Sequence, residues 1–97
     1  MKINKRTVDA LSVANKDYTE WDEDLTGFGI RVWPSGKKVY LVRYRHGGRQ
    51  RFFKIGEHGP VTPDLARREA QIKLGDVARG EDPQEESKRG VEAVQGL

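Results

Sequence analysis

The 97-residue chain has no cysteine, so neither disulfides nor thiolate metal sites can support its fold, and a reducing intracellular setting fits. Long apolar runs are missing too. No stretch approaches the roughly 20 apolar residues of a membrane span, and the opening MKINKRTVDALSVANK has no apolar block of the kind a signal peptide needs. The expectation is a cytoplasmic protein with no membrane contact. With 35% hydrophobic residues and 34% charged ones, a chain this short suits one small domain with a modest core.

Acid is absent from one long block. From Leu25 to Gly56 there are eight basic residues, Arg31, Lys37, Lys38, Arg43, Arg45, Arg49, Arg51 and Lys54, and no Asp or Glu. The flanks, TEWDEDL and EDPQEESK, are acidic or mixed. An ordinary solvated surface intersperses the signs, so this segregation predicts a footprint for a polyanion.

The pattern inside the block is that of strands. In GFGIRVW, Phe28, Ile30 and Val32 share one side and Gly29, Arg31 and Trp33 the other, the period of two of a pleated strand. Pro34, Ser35 and Gly36 supply a tight turn. In KKVYLVRYR, Tyr40, Val42 and Tyr44 oppose Val39, Leu41, Arg43 and Arg45. Gly47 and Gly48 accept a two-residue primed turn, and RQRFFKIG places Phe53 and Ile55 opposite Gln50, Phe52 and Lys54. These features predict a three-stranded antiparallel meander. The N-terminal residues 3 to 14 are compatible with a short helix or an extended edge segment.

One face of the meander is strongly apolar and needs a cover. TPDLARREAQIKLGDVARG provides it as a helix, with Thr62 as N-cap, Pro63 at the first helical position, and Arg79 and Gly80 at the C-terminal end. Ala66, Ala70, Leu74 and Val77 form its inward stripe. The fold class is therefore α+β, a βββα arrangement with one helix on one face of the sheet. Residues 1–80 form the domain, with its core in 25–80, and 81–97 read as a linker.

The uncovered face then carries Arg31, Trp33, Val39, Leu41, Arg43, Arg45, Gln50, Phe52 and Lys54. Arg49 and Arg51 have the opposite parity but lie beside the hairpin tip, and Lys37 and Lys38 lie by the first turn. A β-ribbon fits the major groove of B-DNA, where Arg and Lys reach guanine edges or phosphates, Gln pairs with adenine, and apolar groups touch thymine methyls. Solvated charge that blunts sheet edges is the plainer alternative. Recognition of unpaired RNA bases is weaker, because the aromatics mostly share parity with the core.

The run LTGFGIRVWPSGKKVYLVRYRHGGRQRFFKIGEH, followed by LARREA and ARGEDP, resembles the N-terminal arm-type DNA-binding domain of phage and genomic-island integrases, the P4-like branch of the tyrosine recombinase family. The matching positions are Gly27, Gly29, Arg31, Pro34, Ser35, Gly36, Arg43, Tyr44, Arg45, Gly48, Arg51, Gly56, Ala66, Arg67, Ala78, Arg79, Gly80, Asp82 and Pro83. The Trp21-Asp22 pair is similar to that family's entry into its first strand. The resemblance implies a module that grips double-stranded arm-type sites flanking a recombination site, with separate domains binding the core site and cutting. Two positions depart from the pattern: His46 with Gly47 in the second turn, and Phe52 where a polar or basic residue is usual.

Catalysis by this region is not expected, since no set of nucleophile and assisting groups converges. Tyr40 and Tyr44 have core parity, and Tyr18 reads as core or edge. His46 and His58 sit in turns without the spacing of metal ligands, so no metal or cofactor is implied. Asp22, Glu23 and Asp24 read as solvated loop charge. The candidate DNA-binding set is Arg31, Trp33, Lys37, Lys38, Leu41, Arg43, Arg45, Arg49, Gln50, Arg51, Phe52 and Lys54. The competing function is a protein-interaction module whose open sheet face docks a recombination accessory protein.

Overall fold

The computed structural model describes residues 1–80. The expected linker, 81–97, with Asp82 and Pro83 of the resemblance, lies outside the described residues.

The chain runs through α1 (Lys5–Asp9), β1 (Tyr18–Trp21), β2 (Phe28–Val32), β3 (Lys38–His46), β4 (Arg49–Glu57) and α2 (Pro63–Ala78). The strands form one antiparallel sheet in the order β1-β2-β3-β4. The three expected strands are present, but the sheet has a fourth. β1 pairs Tyr18 with Val32 and Trp21 with Gly29. Its four residues, YTEW, are all partly buried, so no alternation of apolar and polar side chains marks it as a strand.

α1 is a single turn and a half, started by a capping box in which Asn4 and Thr7 exchange hydrogen bonds with each other's backbone N–H at 3.0 Å. It places Ile3 and Val8 in the core, 1% and 0% exposed. Both β-turns behave as their residues require. In the β3–β4 hairpin Gly47 and Gly48 hold φ of 60° and 78°, the positive pair of a primed two-residue turn.

α2 covers the side of the sheet that Tyr40 faces. Phe28, Ile30, Tyr40, Val42 and Tyr44 from the sheet are buried together with Ala66 and Ala70 from the helix, and Phe53, Ile55, Leu74 and Val77 pack around them. The Thr62 hydroxyl accepts from the N–H of Leu65 at 3.2 Å, Pro63 opens the helix, and Arg79 caps it while pairing with Asp76. β4 carries one extra residue: Leu41 pairs with Lys54 and Tyr40 with Gly56, leaving Ile55 as a bulge. That bulge turns Ile55 toward α2 and resets the parity of the strand's end.

Asp22 corrects the expectation of solvated loop charge. Its side chain is fully buried, and Arg67 of α2 clasps it, Nη1 donating to Oδ2 at 2.8 Å and Nη2 to Oδ1 at 2.6 Å. The same carboxylate accepts the N–H groups of Ile3 at 2.8 Å and Leu25 at 2.7 Å, and Arg67 also donates to the Ile3 carbonyl at 2.9 Å. Burial alone would raise the Asp22 pKa, but hydrogen bonds from Arg67 and from the Ile3 and Leu25 backbone hold it well below the usual carboxylate range. The N-terminal segment, the β1–β2 loop and α2 meet at this one ion pair.

Candidate nucleic-acid interface

Strand register assigns the side of the sheet away from α2. Four rungs cross it: Arg45 with Gln50; Arg43 with Phe52; Trp21, Gly29, Leu41 and Lys54; and Thr19, Arg31, Val39 and Glu57. β2 contributes to the last two only, because its pairing with β3 begins at Phe28↔Val42. The Arg43 N–H still donates to the Gly27 carbonyl at 2.7 Å; beyond that bond β3 and β4 continue as a two-stranded ribbon, with Arg43 and Phe52 at its base and Arg45 and Gln50 further out, all on its open side. All four are exposed.

Two apolar residues expected in the open are not. Val39 and Leu41 are 2% and 8% exposed, although they lie on the outer face. β3 is an inner strand, so larger neighbours flank it on both sides: Arg31, Trp33, Phe52 and Lys54 surround the pair and form with it a depression of about 250 Å³. The aliphatic stems of the cations shade the apolar floor while their charged ends reach out. Phe52, in contrast, is 47% exposed.

The cations differ in what holds them. Arg31 Nε donates to the Asp17 carboxylate at 2.8 Å and its guanidinium forms an ion pair there; the hydrogen bond from Arg31 lowers the Asp17 pKa. Arg31 and Lys37 both lie over the half-buried Trp33 ring, at 5.3 and 5.7 Å from its centroid. Arg43 stacks on Trp21, its guanidinium carbon 4.4 Å from the ring centroid. Arg45, Arg49, Lys37 and Lys54 are exposed. Lys38 points the other way: it pairs with Val32 on the core side, and its ammonium donates to the Val8 carbonyl at 2.8 Å, so it ties α1 to the sheet and does not join the outer face. Arg51 is half-buried opposite Tyr44 on the helix side.

Trp21 belongs to this face and is absent from the sequence-derived set. Its signal was present but faint, an aromatic residue beside an acidic loop and ahead of the glycine-rich strand it turns out to cover. The tyrosines take the core and edge places expected: Tyr40 and Tyr44 are buried, and the Tyr18 hydroxyl donates to the Ser12 carbonyl at 2.5 Å. His58 is engaged on both ring nitrogens, with Tyr40 Oη at 2.7 Å and Asp9 Oδ1 at 3.1 Å. Burial, and secondarily the Asp9 charge, push the Tyr40 pKa well above its ordinary value, so this hydroxyl stays protonated. Among the described residues no helix is long and apolar enough to cross a membrane.

No curated protein matches the chain. A family model described as the arm DNA-binding domain matches residues 3–90, a span that takes in α1, the entire sheet with its basic outer face, and α2. The chain belongs to the arm DNA-binding domain family, the non-catalytic arm-type DNA-binding domains typical of phage integrases.

Proposed function

We propose that the domain binds double-stranded arm-type DNA by laying the outer side of its β3–β4 ribbon in the major groove. The observation that carries this reading is the ribbon itself, two strands wide beyond the Arg43–Gly27 backbone bond, with Arg43 at its base and Arg45 and Gln50 further out, exposed on one face. Paired strands lie about 4.8 Å apart, and such a ribbon enters a groove about 12 Å wide. Arg43 and Arg45 have the chemistry to read guanine edges, and Gln50 that to read adenine. Lys37, Lys54 and Arg49 suit phosphate contacts; Arg51, half-buried on the helix side, joins them only by reaching round the ribbon's edge beside the hairpin tip, and Arg31 by exchanging Asp17 for a phosphate.

Leu41 forms part of an apolar floor between Trp33 and Phe52, a surface suited to a thymine methyl group. Lys38, committed to α1, leaves the contact set. In this reading residues 1–80 are the arm-binding unit and 81–97 lead toward the rest of a phage-type integrase. That parent is a tyrosine recombinase of a prophage or related mobile element, acting on bacterial DNA in the cytoplasm, with its cutting chemistry on another domain.

The test is the double variant Arg43→Glu, Arg45→Glu, titrated against duplexes from the ends of the chain's own element. Both side chains are exposed, so stability should stay within about 1 kcal/mol of the wild type, while reversal of two charges at the contact face should abolish measurable duplex binding. Unchanged DNA binding by a folded double variant would overturn the groove assignment. If the wild type bound no duplex but retained a recombination accessory protein through the same face, the protein-docking function would replace it.

A further inference from the structure

We propose that Trp21 is a positioning residue for DNA recognition: its indole holds the Arg43 guanidinium in the orientation in which it meets the duplex. The inference rests on the ribbon-in-groove reading and adds to it a residue that touches no base. Trp21 and Arg43 come from strands that do not neighbour each other, β1 and β3: Trp21 pairs with Gly29 of β2, Gly29 pairs with Leu41, and Arg43 stands two residues further along β3 on the same side, diagonal to Gly29. A Cβ at position 29 would lie 2.6 Å from Trp21 Cε3 and 2.8 Å from Cζ3. The indole therefore occupies the space over β2 that a side chain at 29 would claim, and the Arg43 guanidinium carbon lies over the ring, 4.4 Å from its centroid.

The ring is itself held. The next residue, Asp22, donates its N–H to the Phe28 carbonyl at 2.8 Å, and the Asp22 carboxylate is locked to Arg67 of α2. The end of β1 is thus bolted to the helix on the opposite side of the sheet, and the Trp21 backbone has little freedom to shift. Arg43 by contrast is exposed and, without the indole, would sample many rotamers that binding must then freeze. A cation–π contact holds a guanidinium through its charge and not through its N–H donors, so the fork that pairs bidentately with a guanine is not used up by the indole. The stack pre-orders the reading group without consuming its hydrogen bonds.

The experiment is a double-mutant cycle on the full chain, with Trp21→Leu, which keeps an apolar cover over Gly29 but removes the π face, and Arg43→Ala. The probe is a short duplex enriched by the wild-type chain from a randomised pool, with the unenriched pool as the non-specific reference. Trp21→Leu should weaken binding to the enriched duplex about threefold to tenfold, the range of an exposed to partly desolvated cation–π contact. Binding to the reference pool should be unchanged, and in the Arg43→Ala background the same substitution should have no further effect. Trp21→Phe should restore most of the loss. In the free protein the Arg43 side-chain protons should show ring-current shifts that vanish in Trp21→Leu.

Additive losses in the cycle, or Arg43 protons without a ring-current shift in the free wild type, would overturn the positioning role while leaving the groove reading standing. Failure of the wild type to enrich any duplex would overturn both.

Discussion

Arg67 shows how much one side chain can carry in a domain with so small a core. It bridges the Asp22 carboxylate and the Ile3 carbonyl, and its guanidinium also lies 5.3 Å from the Phe28 ring centroid. The Asp22 carboxylate is 0% exposed, so removing its partner leaves a buried charge uncompensated. Arg67→Ala should cost about 3 kcal/mol or more, read from the shift of the urea midpoint. The pH dependence follows from the direction of the Asp22 shift. Its folded pKa lies below the unfolded value of about 3.9; its contribution is therefore complete above that value and is lost as the pH falls through the folded one. The stability gap between wild type and Asp22→Asn should be largest near neutrality and should narrow on acidification; a gap that widened in acid would contradict the assignment. Gly29 is the second sensitive residue. Gly29→Ala drives a methyl into the indole, and a displaced Trp21 should appear as a loss of about 1–3 kcal/mol together with loss of the Arg43 ring-current shifts.

The close seating of α2 on the sheet depends on two small residues. Ala66 and Ala70 are both 0% exposed, so no space remains for a longer side chain at either position. Ala70→Leu should destabilise the domain by about 1–3 kcal/mol through overpacking, whereas Gln71→Leu on the exposed side of the helix should change the urea midpoint little. This helix and strands β2 to β4 were legible in the sequence because each carried its own period and punctuation: Thr62-Pro63 at a helix start, Gly47-Gly48 at a hairpin, and apolar residues at every second position between. β1 had none of these. Tyr18, Thr19, Glu20 and Trp21 are all half-buried at the sheet edge, and a strand whose two sides are alike leaves no period to detect. The placement of Asp22 was hidden for a different reason. Whether a loop carboxylate is solvated or clasped depends on Arg67, 45 positions away in sequence, and no local pattern encodes that meeting. Val39 and Leu41 were assigned to the correct side, but their burial comes from neighbours on two other strands.

At the scale of the whole molecule the two sides of the sheet divide the work: one is closed by α2 and α1 and holds the fold, the other collects positive charge. The division lets cations be classified by what their loss should do. Lys37 and Lys54 are exposed beside the outer depression, whereas Lys38 donates to the Val8 carbonyl on the closed side. If about five phosphates are neutralised, the plot of log affinity against log salt should have a slope near −4 to −5, at roughly −0.9 per contact. Lys54→Ala and Lys37→Ala should each flatten that slope by about 1 without moving the urea midpoint appreciably. Lys38→Ala should do the reverse, lowering the midpoint by loosening α1 while leaving the slope as it was. Measured on one duplex across a salt series, the three variants separate a charge that meets DNA from a charge that meets the protein's own backbone. A Lys38 variant that flattened the slope as much as Lys54→Ala would mean that the closed side also faces the duplex, and the division of labour between the two sides of the sheet would have to be abandoned.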